Sequence, residues 1–287
     1  MKLAKVILVA LASITSPVVA CSGYGGGGDA RITPIGGGEG ETDGSAGDGG
    51  GRQNSGDSGT AREDLSAGLF ASYRFDGDTT DSSGAGRDLT IVGPNGSQAT
   101  YPLGVAGRAV RLPDEPVHLA LPSNEPAIDF EDRDFTLQAW VKLERVVATS
   151  ETVLLGKFTS SSGWRLSLRG DNGVEFRAPP SIDFTTSRTV TAGAWHHVVA
   201  RRRASSFDVF FDGTSDGSVS RGNAAITSAD EASLVIGQAS TALPSRPGAR
   251  LLDEVAIWTR ALSDGEIAKL YNQGVGGSVT GSNAEQK

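Results

Sequence analysis

Alternation of apolar and polar residues at a period of two constrains this chain more than any other feature of its sequence. Residues 135–143 (FTLQAWVKL) alternate over nine positions, and residues 164–169 (WRLSLR) alternate over six. Successive side chains of a strand point to opposite faces, so this pattern indicates strands with one buried face. Short runs of this kind recur at roughly even spacing from Leu65 to about Gly274, separated by Gly, Asp, Asn and Ser turns. The pattern predicts an all-β sandwich or barrel.

The individual strands and one hairpin can be placed. Further strands are predicted at residues 174–177, 195–200, 207–211, 234–237 and 251–258. Asn172 and Gly173 separate two alternating runs, which predicts a hairpin with a type I′ turn. Asp212 and Gly213 predict a second turn after residues 207–211.

One short helix is expected after the last strand. Ser263 and Glu266 have the spacing of a capping box, in which the two side chains satisfy backbone amides at the helix start. Ile267, Leu270 and Tyr271 then share one face, and Gly274 suits the C-terminal cap. We expect two or three turns that pack against the edge of the sandwich.

The segment before the strands has a different composition. Residues 22–60 contain 16 of the 39 glycines of the chain, six acidic residues, two arginines and almost nothing apolar. Such a segment has no core to offset its chain entropy, so a disordered tether with an r.m.s. reach of roughly 35 Å is predicted. We divide the chain into residues 1–20, 21–61, a folded domain at 62–275 and a disordered tail at 276–287.

The N-terminus has the features of an export signal. Lys2 and Lys5 precede a short apolar stretch at residues 6–12, which is too short to span a bilayer as a helix. Residues 18–21 (VVAC) resemble the bacterial lipobox. This resemblance implies a signal peptide at residues 1–20, lipidation of Cys21 and anchoring to a bilayer of the bacterial cell envelope. The residue after the cysteine, Ser22, favours the outer membrane by the habit of such lipoproteins. The alternative is an ordinary secretory signal with a chance cysteine.

Charge and composition exclude several classes of protein. The net charge is −8, whereas a nucleic-acid-binding protein needs a basic surface to displace counterions, so no nucleic-acid partner is expected. A single Cys allows no intrachain disulfide, and with only three His it argues against a structural zinc site. Asp76, Asp78 and Asp81 cluster after the first predicted strand. Clustered carboxylates suit calcium, which prefers six to eight oxygen ligands, but the same residues are also common in turns.

Eight short sequence motifs occur in order along about 210 residues of the predicted domain. They are LFASYRFDGD at 69–78, DSSG at 81–84, GRAVRL at 107–112, DFTLQAWV at 134–141, WHHVV at 195–199, FDG at 211–213, LDEVAIW at 252–258 and RALS at 260–263. Together they resemble the laminin-G-like, concanavalin A-like jelly-roll domains of bacterial secreted proteins. The resemblance implies an all-β sandwich of two antiparallel sheets, with a dozen or more strands and the first and last strands close together. It also brings Asp253 near the first strand, as a fourth ligand of one structural calcium ion.

No catalytic residue is expected. Glu131, Asp132 and Asp134 precede a strand in a loop, and neighbouring Asp253 and Glu254 should face opposite ways, whereas glycoside hydrolysis needs paired carboxylates. His196 and His197 also point to opposite faces, so they cannot jointly bind a metal. His118 is expected on a strand near the surface.

The resemblance therefore favours a non-enzymatic binding module, with a glycan as the first expected ligand and an unknown binding surface. The alternatives are a structural or adhesive role towards an envelope or extracellular protein, and a degenerate glycoside hydrolase. Two further features concern this domain. Trp164 belongs to the core or offers a stacking surface for a sugar. The run Arg201–Arg203 is expected at a strand end facing water, with Asp208 as a cross-hairpin partner.

Overall fold

The computed structural model describes residues 64–94, 98–113, 117–145, 151–180, 182–222, 224–237 and 250–274. All of them belong to one structural unit, Ser58–Lys287. These residues contain fourteen strands, one 3-10 turn at Pro126–Ile128 and one helix, α1, at Asp264–Gly274. The strands are β1 (Leu69–Tyr73), β2 (Thr90–Val92), β3 (Val110–Leu112), β4 (His118–Ala120), β5 (Phe135–Leu143), β6 (Thr152–Phe158), β7 (Gly163–Leu168), β8 (Gly173–Ala178), β9 (Ile182–Thr189), β10 (Trp195–Arg203), β11 (Ser206–Phe211), β12 (Thr214–Ser220), β13 (Val235–Ile236) and β14 (Arg250–Trp258).

The strands form two antiparallel sheets of seven. The first sheet has the order β1-β14-β5-β10-β11-β12, with β3 also paired to β14, and the second has the order β2-β4-β13-β6-β7-β8-β9. Leu69 of β1 pairs with Trp258 of β14, so the first and last strands are neighbours. The predicted two-sheet, all-β sandwich is confirmed.

The main core fills the space between the sheets. Phe135, Leu137, Ala139 and Val141 alternate inward along β5 and are fully buried, as the sequence pattern predicts. The ring of Phe135 lies 4.4 Å from that of Phe130 and 5.5 Å from that of Phe176, measured between centroids.

The hairpin between β7 and β8 differs from the prediction. The amide of Asn172 donates to the carbonyl of Arg169, so the β-turn spans residues 169–172 and lies two residues earlier than expected. Asn172 has φ +62°, whereas Gly173 lies outside the positive-φ region that a type I′ turn requires. The Asp171 carboxylate accepts the amide hydrogen of Gly173 at 3.0 Å, and this bond stabilises the observed turn. At the other predicted turn, Asp212 and Gly213 both have positive φ.

The helix begins as predicted but packs elsewhere. The hydroxyl of Ser263 accepts the amide of Glu266 at 3.1 Å, and the amide of Ser263 donates to the Glu266 carboxylate at 2.7 Å. Ile267 and Leu270 then join a second apolar cluster on the outer face of the first sheet, with Val199, Phe210, Ala256 and Trp258. The helix covers a sheet face rather than an edge, because β10, β11 and β14 present apolar side chains on both of their faces.

The basic run lies at the end of β10, as predicted, but two of its three arginines do not face water. Arg201 and Arg202 are only 2% exposed, while Arg203 is exposed. Arg201 donates to the Asp208 carboxylate at 2.7 and 2.9 Å, so the predicted pairing is correct but is buried. It also donates to the Leu262 carbonyl and to the Asp264 carboxylate, each at 2.7 Å. The guanidinium therefore links the sheet to the start of α1.

The predicted signal peptide, Cys21, the tether and the tail from residue 276 lie outside the described residues. In the part of the chain that is described, no helix has the length and apolar character needed to cross a membrane.

Candidate functional site

The outer face of the second sheet is the candidate binding surface. In β8, Val174, Phe176 and Ala178 point into the core, so Glu175 and Arg177 point outward. The same alternation directs polar side chains outward from β7 and β9. We call this surface the open face and define it by Arg165, Glu175, Arg177, Asp183 and Thr185; Ser167 lies among them but is fully buried. Unlike the outer face of the first sheet, it presents no apolar stripe for a helix in the described residues.

The strand register arranges the open face in two rows. Arg165, Arg177 and Asp183 are cross-strand partners and form the first row. Ser167, Glu175 and Thr185 form the second row. Directly opposite side chains lie about 5 Å apart at their Cβ atoms, so each row is a continuous strip of polar groups.

Arginines and carboxylates are paired across and beside these rows. Nε of Arg165 donates to the Glu151 carboxylate at 2.6 Å, and the Ser167 hydroxyl donates to the same oxygen at 2.9 Å. Arg177 lies 3.8 Å from the Asp183 carboxylate. At the next turn, Arg169 lies 3.4 Å from Asp171. The open face therefore presents hydrogen-bond donors and acceptors side by side.

An aromatic ring borders the first row. The guanidinium of Arg165 lies over the ring of Phe158, 5.3 Å from its centroid. Gly156, which pairs with Arg165, leaves room for this arrangement, because a Cβ there would approach Cβ of Arg165 to 2.9 Å. The stacked pair forms a flat edge to the polar strip.

Glu175 is the most buried carboxyl group of the open face. It is 8% exposed. Burial raises its pKa above the ordinary value, and the negative charges of Asp183 and Glu151 raise it further. A carboxyl group with a raised pKa carries a proton over part of the pH range and can then donate a hydrogen bond.

The four predicted calcium ligands are placed in two groups. The Asp81 carboxylate accepts the amides of Ser72 and Ser83 at 3.1 and 2.9 Å and that of Arg87 at 3.2 Å. Asp78 accepts the amide and the hydroxyl of Thr80, and these two bonds lower its pKa. Both residues thus satisfy the backbone of the loop in which they lie.

Asp76 and Asp253 both accept hydrogen bonds from backbone amides of residues 105–108. Oδ1 of Asp76 accepts the amide of Arg108 at 2.9 Å. Oδ2 of Asp253 accepts the amides of Val105 and Ala106 at 2.8 and 3.1 Å. Burial raises the pKa of Asp253 to about 8, against the pull of these amides.

The carboxylate oxygens of Asp81 and Asp253 already accept amide hydrogens, which leaves them few lone pairs for a cation. Among the described residues, no group of three or more His, Cys, Asp or Glu side chains comes together to hold a metal ion. The four carboxylates do not form one ligand set here, and calcium binding by them stays a prediction.

The two neighbouring histidines have different surroundings. Nδ1 of His196 lies 3.0 Å from the Asp212 carboxylate, and its Nε2 lies 2.8 Å from the Thr191 hydroxyl. His197 is fully buried against Trp140 and Tyr271. The two rings occupy separate environments, as the alternation predicts.

The other sequence candidates are structural. Trp164 is fully buried, and its indole N–H donates to the Ile128 carbonyl at 2.6 Å, so it offers no stacking surface. Asp134 accepts the amide of Ala204 at 2.7 Å in the loop before β5. Glu254 has φ +46° at a β-bulge of β14. His118 is half-buried on β4, as expected.

Sequence reasoning missed the open face altogether. Glu175 and Arg177 were assigned to a strand, but the alternation of that strand was not used to ask which side chains point away from the core. Glu151 and Asp183 lie outside the strands that the pattern identified. Their proximity to Glu175 depends on the pairing of β6 with β7 and of β8 with β9, which the sequence pattern does not specify.

The solved structures that are similar to this chain include the following three. The binding domain of Paraclostridial Mosquitocidal Protein 1 has a TM-score of 0.62 at 21% identity, with 73% of this chain and 53% of that one covered. Domain 4 of AbnA, an extracellular arabinanase from Geobacillus stearothermophilus, solved with arabinotriose, has a TM-score of 0.58 at 22% identity, with coverage of 71% and 98%. The binding domain of botulinum neurotoxin DC, solved with rat synaptotagmin II, has a TM-score of 0.58 at 14% identity, with coverage of 73% and 52%.

These likenesses show the fold. The chain spans about half the length of the two toxin domains and nearly all of the arabinanase domain. No curated protein matches the sequence. A laminin G family model, described as the concanavalin A-like lectin/glucanases superfamily, matches residues 114–268, which is 155 of the 287 residues. The match begins before β4 and ends within α1, so it includes β4 to β14, which are strands of both sheets. The chain therefore belongs to the laminin G branch of the concanavalin A-like lectin/glucanases superfamily.

Proposed function

We propose that this chain is a lipid-anchored protein of the bacterial cell envelope that presents a non-enzymatic, glycan-binding module through its open face. The observation that carries the proposal is the pair of polar rows on β7, β8 and β9, in which Arg165 is paired with Glu151 and Arg177 with Asp183. Sugar hydroxyls both donate and accept hydrogen bonds, so they can bridge a guanidinium and a neighbouring carboxylate.

The comparisons support a binding role. The arabinanase domain was solved with arabinotriose, and this chain matches it over 98% of its length. The two toxin structures are also binding domains. We extend the ability to bind an oligosaccharide to this chain as a proposal, because at 22% identity the likeness itself concerns the fold.

A glycan array with matched variants tests the proposal. We expect the detergent-solubilised full chain to bind one or more glycans, and Arg177→Ala to weaken that binding at least about tenfold, the loss of about 1.4 kcal/mol. Arg111→Ala is the control, because Arg111 forms an exposed ion pair with Glu144 on the first sheet. Such exposed pairs contribute at most about 1 kcal/mol to stability, so both variants should fold. Equal binding by the two variants would place any glycan site elsewhere.

Glycoside hydrolysis is an alternative function to consider, because Glu151, Glu175 and Asp183 place several carboxyl groups on or beside the open face. Two of these carboxylates are bound to arginines, at 2.6 Å for Glu151 and 3.8 Å for Asp183. We therefore assign them to hydrogen bonding with a ligand. Release of reducing sugar from a glycan that the array identifies, with loss of release in Glu175→Gln, would make the chain a glycoside hydrolase instead.

A protein partner is the second candidate. The specific observation is the similarity to a toxin binding domain solved with synaptotagmin II. A chain that binds no glycan but captures one extracellular or envelope protein, with dependence on Arg177, would support this alternative. Digestion of the partner's glycans distinguishes recognition of its protein from recognition of attached sugar.

The membrane anchor is part of the same proposal. It rests on the lipobox-like residues before Cys21 and on the apolar stretch at 6–12. Two or three acyl chains on the cysteine would give firm anchoring, since each buried methylene contributes roughly 0.8 kcal/mol. We also propose that the anchor lies in the outer membrane, because Ser22 follows Cys21, as in lipoproteins of that membrane.

A further inference from the structure

The balance of charge on the open face bears on which class of glycan it binds. Three arginines lie on or beside it, and each has a carboxylate within 4 Å: Arg165 with Glu151, Arg169 with Asp171, and Arg177 with Asp183. At the margin, Arg221 donates to the carbonyl of Asp183 at 3.3 Å. With Glu175, the described surface carries four guanidinium groups and four carboxyl groups. Its formal charge is therefore balanced.

A polyanion would find no unpaired cluster of cations here. Proteins that bind polyanions present cations whose charge is available, and binding then releases counterions and weakens with salt. On the open face, an incoming sulfate or uronate would meet Glu151 or Asp183 beside the arginine that it approached. The whole chain, at −8, adds further repulsion.

Neutral hydroxyl groups meet no such penalty. An arginine that is already bound to a carboxylate retains N–H groups for further bonds, since a guanidinium has five. The carboxylate likewise retains lone pairs that accept a hydroxyl. A neutral sugar can therefore bind without separating the charge pairs, and the flat ring of Phe158 beneath Arg165 adds apolar contact at the edge of the face.

On this basis we propose that the open face selects neutral polysaccharides and excludes sulfated and uronic-acid-rich ones. The inference rests on the proposed function, and it names the class of glycan for that site. The rows extend over three neighbouring strands spaced about 4.8 Å apart, a width that suits a chain of sugars more than a single monosaccharide.

The test is affinity electrophoresis of the full chain in detergent, in gels that contain one polysaccharide each. The neutral probes are arabinan, xylan, mannan and mixed-linkage β-glucan; the anionic probes are heparin and polygalacturonate. Each binding constant is measured at about 0.05 M and about 0.5 M salt, across which the Debye length falls from about 14 Å to about 4 Å. We expect retardation by at least one neutral probe, with less than a twofold change between the two salt concentrations.

Each result is decisive. Retardation only by an anionic probe, falling tenfold or more in high salt, would overturn the selectivity but leave glycan binding standing. Retardation by none of the probes and no binding on the array would overturn both. Equal affinity for neutral and anionic probes would overturn the selectivity alone.

Two conservative variants test the mechanism. Asp183→Asn and Glu151→Gln remove the carboxylate charges beside Arg177 and Arg165 while keeping hydrogen-bonding groups of the same size. We expect each to gain salt-sensitive retardation by heparin. The matched control, Glu144→Gln, frees Arg111 on the first sheet and should not gain it. If heparin binding stays unchanged in both open-face variants, charge pairing does not set the selectivity.

Discussion

His197 should make the stability of the domain depend on pH. The side chain is fully buried on β10, and neither of its ring nitrogens has a hydrogen-bond partner among the described residues. Its ring centroid lies 5.1 Å from that of Trp140 and 5.9 Å from that of Tyr271 of α1. Burial lowers the pKa of His197 to about 3.

The magnitude follows from the difference between the folded and unfolded pKa. The pKa of an unfolded histidine is about 6.5, so below that pH His197 binds a proton in the unfolded chain but not in the folded one. The stabilising contribution is complete above about pH 6.5 and is lost as the pH falls towards 3. Between pH 7 and pH 5 the loss is about 2 kcal/mol. For a domain of this size that corresponds to a decrease in Tm of about 4–8 °C.

The assay is thermal unfolding of the wild type and of His197→Phe at several pH values between 7 and 5. The quantity of interest is the difference in Tm between the two proteins, because other groups titrate in both. We expect the wild type to lose about 4–8 °C relative to the variant over this range. His197→Leu gives a second, smaller replacement if the phenyl ring does not fit.

Trp140→Phe is the matched control. It removes from the same cluster the buried indole nitrogen, which also has no hydrogen-bond partner in the part of the chain that is described, but it does not remove a titratable group. Its Tm should differ from that of the wild type by the same amount at every pH. A constant Tm difference between the wild type and His197→Phe would show that the folded protein accepts the proton, and would refute the reasoning.

Four further outcomes are expected. Burial raises the pKa of Asp253 to about 8, so ionisation of this group lowers the stability of the fold as the pH rises from about 4 to about 8. Over that range the Tm of the wild type should therefore fall relative to that of Asp253→Asn. A Tm difference that does not change with pH would contradict this. Cys21→Ser should abolish processing and acylation at that site, and an unmodified mature N-terminus in the native protein, seen by mass spectrometry, would count against lipidation. Deletion of residues 25–58 should leave the Tm nearly unchanged, whereas a decrease of several degrees would mean that the segment packs on the domain. If the Asp81 loop and Asp253 bind calcium, a concentration of about 100 times the Kd should raise the free energy of unfolding by about 2.7 kcal/mol, and a chelator should reverse the resulting rise in Tm. Identical melting curves with calcium and with chelator would mean that these carboxylates only accept backbone hydrogen bonds.

The fold could be predicted where the sequence pattern is local. The alternation along β5 specifies the inward residues directly, and the Ser263–Glu266 pair specifies the start of α1. The weakly apolar strands could not be found in this way. β9 and β12 carry mostly polar side chains, and they become strands because β8 and β11 offer backbone partners to them.

The candidate site could not be predicted for a related reason. Glu175 lies on a strand that the sequence does identify, but Asp183 becomes its neighbour only through the pairing of β8 with β9. The carboxylates that drew attention in the sequence, such as Asp81, are clustered along the chain because they bind nearby amides. Proximity in sequence thus marked a turn, while the polar surface was assembled from residues distant in sequence.

The position of β14 has a consequence for the time at which this domain can fold. This strand, Arg250–Trp258, is hydrogen-bonded to β1, β3 and β5, so three earlier strands pair with the last strand of the described domain to be synthesised. Until residue 258 has emerged, β1 and β3 have no partner in the first sheet, and the edge of β5 that pairs with β14 is exposed. Contacts that join Leu69 to Trp258 are among the most non-local possible, and such contacts form slowly. The first sheet should therefore not close until β14 has been synthesised, and chaperone binding to the exposed strands is most valuable before that point.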